Sequence, residues 1–229
     1  MGISVAFLKP IIFDLSKKLE LKDKLIISRD NQVTIHHFGD TGLPVPQTII
    51  SLKSLGDRFE VYDVTHWSNT IEEPIRLWDK YTDEYGKYQK KMIFEIIYDK
   101  KTREAYITAP KDTTNEFLQR ANALSYLKLE RYPFNLNIKK VPEILNIYGK
   151  WCRTDKGNIR CEAKFGFDVH TNSTDGETTT LNMQVRTESG ECDITISREG
   201  QISSHTKSVT VNHVIEFYHL IKLDLLSPL

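Results

Sequence analysis

The chain has 229 residues, of which 39% are hydrophobic and 27% charged, with ten tyrosines and ten phenylalanines. This composition is typical of a globular protein with a sizeable core, and it excludes an intrinsically disordered chain. Three scattered cysteines exclude a disulfide framework and indicate reduced thiols. No stretch of about 20 apolar residues predicts a transmembrane helix, so we expect a cytoplasmic protein without direct membrane insertion.

The net charge is zero, but the charges are unevenly distributed along the chain. Residues 1–86 carry −3, residues 87–164 carry +8 and residues 165–229 carry −5. A basic middle between acidic flanks favours a restricted anion-binding groove, or a protein partner, over a chain coated in nucleic acid.

The first half of the sequence predicts a mixture of strands and helices. Apolar spacing predicts helices over residues 11–19, 71–88 and 112–127, the last following Pro110. Alternation and β-propensity predict strands over residues 24–28, 32–38, 59–64 and 91–109, of which the first two form one hairpin and the last forms another. Residues 48–55 fit either a strand or a short helix.

The second half predicts a sheet closed by a helix. Residues 132–138 alternate as a strand, and residues 142–148 fit a two-turn helix that ends at Gly149. Residues 158–170 form the longest alternating stretch, with one apolar face and one ionisable face. Three further strands are predicted to extend it into an antiparallel meander, over residues 180–187, 191–197 and 200–204.

These elements define an α+β fold with mixed or antiparallel sheets, a C-terminal β-meander and a buried C-terminal helix. We expect an N-terminal α+β domain over residues 1–135 and a C-terminal meander-plus-helix domain over residues 136–229.

The C-terminal helix, residues 212–226 after a Thr210 cap, is apolar around most of its circumference. One sheet face does not need so wide an apolar arc, so the helix requires a second cover. A symmetric homodimer would supply one through Phe217 and Ile221. The alternative is a groove between the two halves of the same chain.

Glu162-Ala163-Lys164 matches the E-x-K half of a metal-dependent nuclease site. Asp155 or Asp168 could add the second carboxylate that holds a divalent cation, and Lys164 could orient the attacking water. The alternative is cross-strand charge pairing on a solvated sheet face. No nucleotide-hydrolase, esterase or zinc-protease motif occurs, and no cofactor is expected.

The basic middle of the chain predicts contacts with phosphate groups. If its lysines and arginines lie on one face, they can neutralise several phosphates in a salt-sensitive and sequence-independent way. The alternative is that they only solvate turns. The candidate nucleic-acid-binding residues are Lys100, Lys101, Arg103, Lys139, Lys140, Lys150, Arg153, Lys156, Arg160 and Lys164.

The order of elements resembles the RexA-like phage exclusion proteins and, more loosely, the KwaB proteins of the Kiwa antiphage system. The likeness is carried by FEIIYDKKTREAYITA, by TTNEFLQ opening a helix, by YPFNLNIKKVPEILNIYG and by the tail SREGQISSHTKSVTVNHVIEFYHLIKLDLL. The resemblance implies a DNA-binding sensor of a bacterial or prophage antiviral defence system, dimeric and acting with a membrane effector protein. It transfers no functional residue, since no sharp motif is shared.

From these observations we expect a non-enzymatic protein that binds double-stranded DNA without sequence preference in phage exclusion. A magnesium-dependent nuclease and a protein-binding adaptor are the alternatives. The +8 segment is the feature that favours DNA binding. The E-x-K residues favour DNA cleavage, and the acidic ends favour binding of a protein partner.

Overall fold

The computed structural model describes most of the chain. The described residues are 2–15, 25–28, 32–38, 44–69, 71–77, 80–124, 126–138, 142–154, 157–162, 177–187 and 190–226. They form a mainly antiparallel β-structure with two helices, which is broadly the expected α+β class, although strands dominate it.

The strands and helices follow one another in this order: β1 Ile3–Phe13, β2 Leu25–Ser28, β3 Gln32–Phe38, β4 Pro44–Leu55, β5 Phe59–Trp67, β6 Ile71–Leu77, β7 Lys80–Tyr88, β8 Lys91–Asp99, β9 Glu104–Ile107, α1 Lys111–Ala121, β10 Leu127–Arg131, β11 Ile144–Thr154, β12 Gly157–Glu162, β13 Glu177–Thr187, β14 Gly190–Ser197, β15 Gln201–Ser204 and α2 Val211–Leu225. None of the helices in the described part of the chain is long and apolar enough to cross a membrane.

The chain folds into two compact units that alternate along the sequence. Unit 1 comprises Met1–Lys9, Tyr106–Lys111 and Glu130–Leu229, and unit 2 comprises Pro10–Ala105 and Asp112–Leu129.

Unit 1 is built on an antiparallel sheet with the strand order β12-β11-β13-β14-β15-β1. One face of this sheet, here called the covered face, carries the inward side chains of β13 and β14, such as Leu181 and Ile196, which are fully buried. The buried side of α2 belongs to the same core, in which Tyr218 stacks on Phe7 with ring centroids 4.1 Å apart. The opposite face, here called the open face, carries polar residues such as Asn182 and Thr195.

Unit 2 contains the antiparallel order β8-β5-β4-β3-β2 and a separate two-stranded ribbon, β6-β7. Its core includes Tyr62, Val64 and Ile96, of which none is more than 2% exposed. Helix α1 packs on this core through Phe117, whose ring meets Phe94 edge-on at 5.5 Å.

Several predicted elements are confirmed. The hairpin of β2 and β3 and the turn after β8 lie where the sequence placed them, and α1 buries Phe117, Leu118 and Ala121 as its apolar spacing indicated. Helix α2 begins after Thr210, which caps it, and His213 completes a reciprocal capping box with that residue.

Two predicted helices are strands instead. Residues 71–77 and 80–88 form the β6-β7 ribbon, with a register shift beside Pro74, and residues 144–154 form β11. In both segments Ile, Tyr and Trp have strong β-propensity, and their spacing fits a helix only by coincidence. The helix predicted over residues 11–19 is also wrong where it is described, because β1 continues to Phe13.

The segment 132–138 has the predicted alternation but is not a strand of the sheet. Phe134, Leu136 and Ile138 are buried, and the residues between them are more exposed. The Phe134 N–H donates to the Arg198 carbonyl at 2.7 Å, and the Asn135 N–H donates to the Leu225 carbonyl at 2.7 Å. These bonds fix the extended segment to the end of β14 and to the end of α2.

The C-terminal meander needs one correction. The sequence placed the strand that begins near residue 158 beside residues 180–187, but β11 lies between β12 and β13. Strand β12 therefore pairs only with β11 in the described structure, which makes it an edge strand.

Phe217 and Ile221 do not lie on a free surface of α2, because they are 4% and 1% exposed within unit 1. Both side chains are therefore covered by other residues of their own chain. The exposed apolar residues of α2 are Leu220 and Leu223, with 49% and 87% of their surface exposed. A homodimer stays a prediction, and a dimer through α2 would have to use these two leucines.

Candidate nucleic-acid interface

The β11-β12 pair brings an aromatic and two arginines together on the open face of unit 1. In the antiparallel register Trp151 lies directly opposite Arg160, and Arg153 lies two residues along β11 from Trp151. The Arg160 guanidinium sits over the Trp151 ring, 5.8 Å from its centroid. Both arginines are exposed and Trp151 is half-buried. The group forms because alternate residues of a strand share a face and directly opposed residues are neighbours.

Away from this edge the open face becomes polar and then acidic. Asn182 accepts a hydrogen bond from Thr195 at 2.9 Å, and Gln184 donates to Glu191 at 3.2 Å. Burial, followed by the neighbouring carboxylate of Asp193, raises the pKa of Tyr148. Among the described residues this face also carries Arg186, which is paired with Glu191 at 3.5 Å, and its two other exposed arginines, Arg153 and Arg160, lie at the β12 edge.

Lys150, which the sequence grouped with the two arginines, belongs to the covered face. It pairs with Leu181 of β13 in the register and is 8% exposed, whereas Leu181 is fully buried. The alternation of β11 sends Lys150 and its neighbour Trp151 to opposite faces. Lys150 is thus not part of the surface formed by Arg153 and Arg160.

A second basic group lies in unit 2, at the turn between β8 and β9. Lys101 and Arg103 are exposed, and the Lys100 ammonium donates to the Gly56 carbonyl. Asp99, which is fully buried, organises the turn by accepting from the Lys101 N–H at 2.8 Å and from two Arg58 nitrogens at 2.7 and 3.0 Å. Burial opposes ionisation of Asp99, but these donors outweigh it and lower its pKa. The backbone of Arg103 is left-handed, with φ 56°.

The remaining predicted residues cannot be placed. Lys139, Lys140, Lys156 and Lys164 lie outside the described residues, as do Asp155 and Asp168 of the alternative nuclease site. Glu162 ends β12, and only its backbone is described. In the part of the chain that the structure describes, no group of three or more His, Cys, Asp or Glu side chains could hold a metal ion.

Sequence analysis missed a buried polar cluster in unit 2. His66 on β5 is fully buried, and its Nδ1 lies 2.9 Å from the Thr48 hydroxyl of β4. Its Nε2 lies 3.6 Å from a Glu116 carboxylate oxygen of α1 and makes no hydrogen bond with the described residues. Arg120, one turn further along α1, donates to the Asn69 side chain at 2.8 Å. The strand predicted over residues 59–64 ends before His66, so no local signal pointed to this cluster.

The His66 cluster has the residue types of acid-base chemistry but not the access. His66 and Thr48 are both fully buried, and the rings of Phe94 and Phe117 lie edge-on to the imidazole at 6.3 and 6.2 Å. Burial, followed by the positive charge of Arg120, lowers the pKa of His66 from 6.5 to about 4. The imidazole is therefore neutral at pH 7 and acts as a structural hydrogen-bonding group.

This pKa shift predicts a loss of stability in mild acid. Between pH 6.5 and about 4 the unfolded chain binds a proton at His66 that the folded chain does not, so folding becomes less favourable as the pH falls through this range. We expect the His66 contribution to the free energy of unfolding to drop by about 2 kcal/mol between pH 7 and about pH 5. Urea denaturation at the two pH values measures the drop.

The matched variants for this prediction are His66→Gln, which cannot take up the proton, and His205→Gln, which changes an exposed histidine. The drop should shrink in His66→Gln and persist in His205→Gln. An equal drop in His66→Gln and in the wild type would contradict the assignment.

Comparison with known proteins adds no relative to this geometry: no family model, no curated protein and no solved structure matches the chain.

Proposed function

We propose that the protein binds double-stranded DNA without sequence preference, through Trp151, Arg153 and Arg160 at the β12 edge of unit 1. The observation that carries the proposal is the pairing of two exposed arginines with one aromatic on a single sheet face. Arginine side chains neutralise backbone phosphates and release counterions, which provides affinity that does not depend on sequence.

The distribution of charge on the open face supports a narrow contact. Glu191 and Asp193 lie on β14, two strands away from β11, so they disfavour phosphates on that part of the face. The backbone of the DNA would therefore follow the β11-β12 edge. Lys101 and Arg103 at the basic turn of unit 2 are candidates for a separate contact.

The resemblance to RexA-like proteins supports a biological role for this binding. The protein would act as a non-enzymatic sensor in phage exclusion, signalling to a membrane effector protein, with a homodimer as the active form. A phage plating assay in cells that carry the protein and its genetic neighbourhood tests the role. Arg153→Gln combined with Arg160→Gln should restore plating if DNA binding triggers exclusion.

The binding prediction is tested by gel shift on double-stranded DNA over a series of salt concentrations. We expect binding at about 50 mM salt that weakens steeply as salt rises. In the Arg153→Gln/Arg160→Gln protein the slope of log affinity against log salt should shrink by about 2, since each lost phosphate contact removes about 1. Lys207→Gln, which removes one exposed cation from the loop before α2, is the control for a general change in charge and should leave the slope unchanged.

Three outcomes would contradict the proposal. Absence of binding by the wild type at about 50 mM salt would exclude a phosphate-binding surface. Tighter binding of single-stranded DNA that is lost in Trp151→Ala would mean that base stacking, not duplex binding, is the function. Cleavage of DNA in the presence of magnesium that is lost in Glu162→Ala would show a nuclease.

A further inference from the structure

Two neighbouring turns at one end of the unit 2 sheet form a continuous surface, here called the tip. They are the β4-β5 turn, residues 55–59, and the β8-β9 turn, residues 99–103. The turns are adjacent because β5 pairs with both β4 and β8. The Lys100 N–H donates to the Arg58 carbonyl at 2.9 Å and joins them directly. Every residue of the two turns is described, and all of them belong to unit 2.

A buried carboxylate holds the second turn of the tip in one conformation. Asp99 is fully buried, and its Oδ1 accepts from the Lys101 N–H at 2.8 Å and from the Thr102 N–H at 3.3 Å. Its Oδ2 accepts from Arg58 in the first turn at 2.7 and 3.0 Å. The Asp99 carbonyl also accepts from the Arg103 N–H at 2.8 Å. The backbone that carries Lys101 and Arg103 is therefore ordered without a ligand, so binding does not have to order it.

The tip exposes cationic and apolar side chains together. Arg58, Lys101 and Arg103 are exposed. Leu55 is 63% exposed, and the Arg58 guanidinium lies over the Phe59 ring, 4.7 Å from its centroid. One exposed leucine is ordinary on a protein surface, but turns are usually built from Gly, Pro, Asn, Asp and Ser. A large aliphatic side chain in a turn, beside three cations, fits a surrounding that is both anionic and apolar.

The surface of an anionic lipid bilayer combines negative charge with an apolar phase. Its headgroups attract lysine and arginine side chains, and apolar side chains are stabilised at the boundary between the headgroups and the acyl chains. The backbone of a DNA duplex offers phosphates as well, but it offers Leu55 no apolar phase next to them. Asp57, an exposed carboxylate of the tip, weakens the attraction. The contact is therefore expected to be weak, reversible and sensitive to salt.

We propose that the tip of unit 2 docks on an anionic lipid surface. Lys101 and Arg103 contact the headgroup phosphates, and Leu55 enters the boundary between the headgroups and the acyl chains. The contact is peripheral and requires no membrane-spanning segment. It is separate from the proposed DNA interface, whose residues belong to unit 1. In this assignment Lys101 and Arg103 serve a lipid surface and not a second DNA contact.

Co-sedimentation of the whole chain with lipid vesicles tests the proposal. One vesicle preparation is pure phosphatidylcholine, and the other is an equimolar mixture of phosphatidylcholine and phosphatidylglycerol. The wild type should bind the mixed vesicles and should bind the phosphatidylcholine vesicles at least about tenfold more weakly. Most of the binding should be lost at about 0.5 M salt, because salt screens the attraction between surface charges.

Two variants of the tip test the cationic and the apolar parts of the contact separately. Lys101→Gln combined with Arg103→Asn removes two cations, and asparagine tolerates the left-handed backbone at position 103, where φ is 56°. This double variant should bind the mixed vesicles about tenfold more weakly or worse. Leu55→Ser leaves the charge unchanged and should weaken binding at least about threefold, because no aliphatic side chain then enters the apolar boundary.

Two control variants change the same properties elsewhere in the chain. Lys128→Gln combined with Lys207→Gln removes two exposed cations, one from β10 and one from the loop before α2. Ile93→Thr removes an apolar side chain that is 73% exposed on β8 and keeps the β-propensity of the position. Both controls should bind the mixed vesicles within about twofold of the wild type, since neither change lies in the tip.

The proposal is overturned if the wild type binds neither vesicle preparation, or binds both equally. It is also overturned if Leu55→Ser binds like the wild type, or if the Lys128→Gln/Lys207→Gln control loses as much binding as the tip double variant. The second result would mean a general attraction of charged protein to charged lipid. Thermal unfolding without vesicles checks each variant, and Leu55→Ser decides alone if the tip double variant is not folded.

Gel shifts on a DNA duplex provide the last comparison. Loss of duplex binding in Lys101→Gln/Arg103→Asn, with vesicle binding intact, would assign the tip to nucleic-acid phosphate and contradict a lipid-binding surface. Loss of vesicle binding with duplex binding intact is the result that the proposal expects.

Discussion

Gly200→Ala is expected to destabilise unit 1 by about 3 kcal/mol or more, because two costs add at this position. Gly200 lies in the turn between β14 and β15 with φ 74°, a left-handed conformation that disfavours any residue with a Cβ. A Cβ at this position would also overlap the Tyr132 carbonyl oxygen and lie 3.2 Å from the Phe7 carbonyl oxygen. Neither backbone atom is free to move away.

The carbonyl groups of Tyr132 and Phe7 cannot move away from Gly200 because hydrogen bonds join the three backbone segments at this point. The Phe7 N–H donates to the Gly200 carbonyl at 2.8 Å, and the Tyr132 N–H donates to the Phe7 carbonyl at 3.1 Å. Displacing either segment to make room would break these bonds next to the aromatic core around Phe7.

Gly190→Ala is the matched control for Gly200→Ala. Gly190 has φ 115°, but a Cβ there would meet nothing within 4 Å. Gly190→Ala should therefore lower the free energy of unfolding only by the conformational cost of a residue with a Cβ, about 1 to 2 kcal/mol. Urea denaturation followed by circular dichroism compares the two variants. Equal destabilisation would show that the close approach of Gly200 to Tyr132 does not constrain the protein.

Phe217→Glu is expected to cost about 4 kcal/mol or more, because it removes an aromatic side chain from the core and introduces a carboxylate that has no buried partner. Phe217 is 4% exposed on the inner side of α2. Ile221 lies one turn further along α2 and is 1% exposed, so Ile221→Glu should destabilise the protein for the same reason. Chemical denaturation of both variants at neutral pH measures the loss.

Leu223→Glu is the control for these core variants, because Leu223 lies on the same helix and is 87% exposed. Its stability should stay within about 0.5 kcal/mol of the wild type.

Light scattering on this variant also tests the predicted homodimer. A dimer that uses the exposed side of α2 should dissociate in Leu223→Glu while staying folded. A stable, folded Phe217→Glu monomer would contradict the packing described for α2.

Elements with strong local signals could be predicted from the sequence. Thr210 followed by a long apolar run determined the start of α2, and the alternation of Leu181 and Met183 determined the covered face of β13. Local signals are ambiguous for residues 71–88, where the same aromatic spacing fits a helix and a two-stranded ribbon. In such a segment the choice between helix and strand depends on whether a second strand is present to pair with it. The residues of one strand do not reveal that partner.

For the candidate site, too, some features could be predicted from the sequence and others depend on the tertiary structure. The sequence by itself determined that positive charge gathers in residues 87–164 and that Arg153 and Arg160 flank one turn. Only the tertiary structure decided that β11 inserts between β12 and β13, which sets Trp151 against Arg160 and turns Lys150 toward the covered face. Which strands pair depends on contacts between residues far apart in the chain, and a shift of one residue exchanges the two faces of a strand. The separation of Lys150 from the two arginines follows from that pairing and not from their spacing in the sequence.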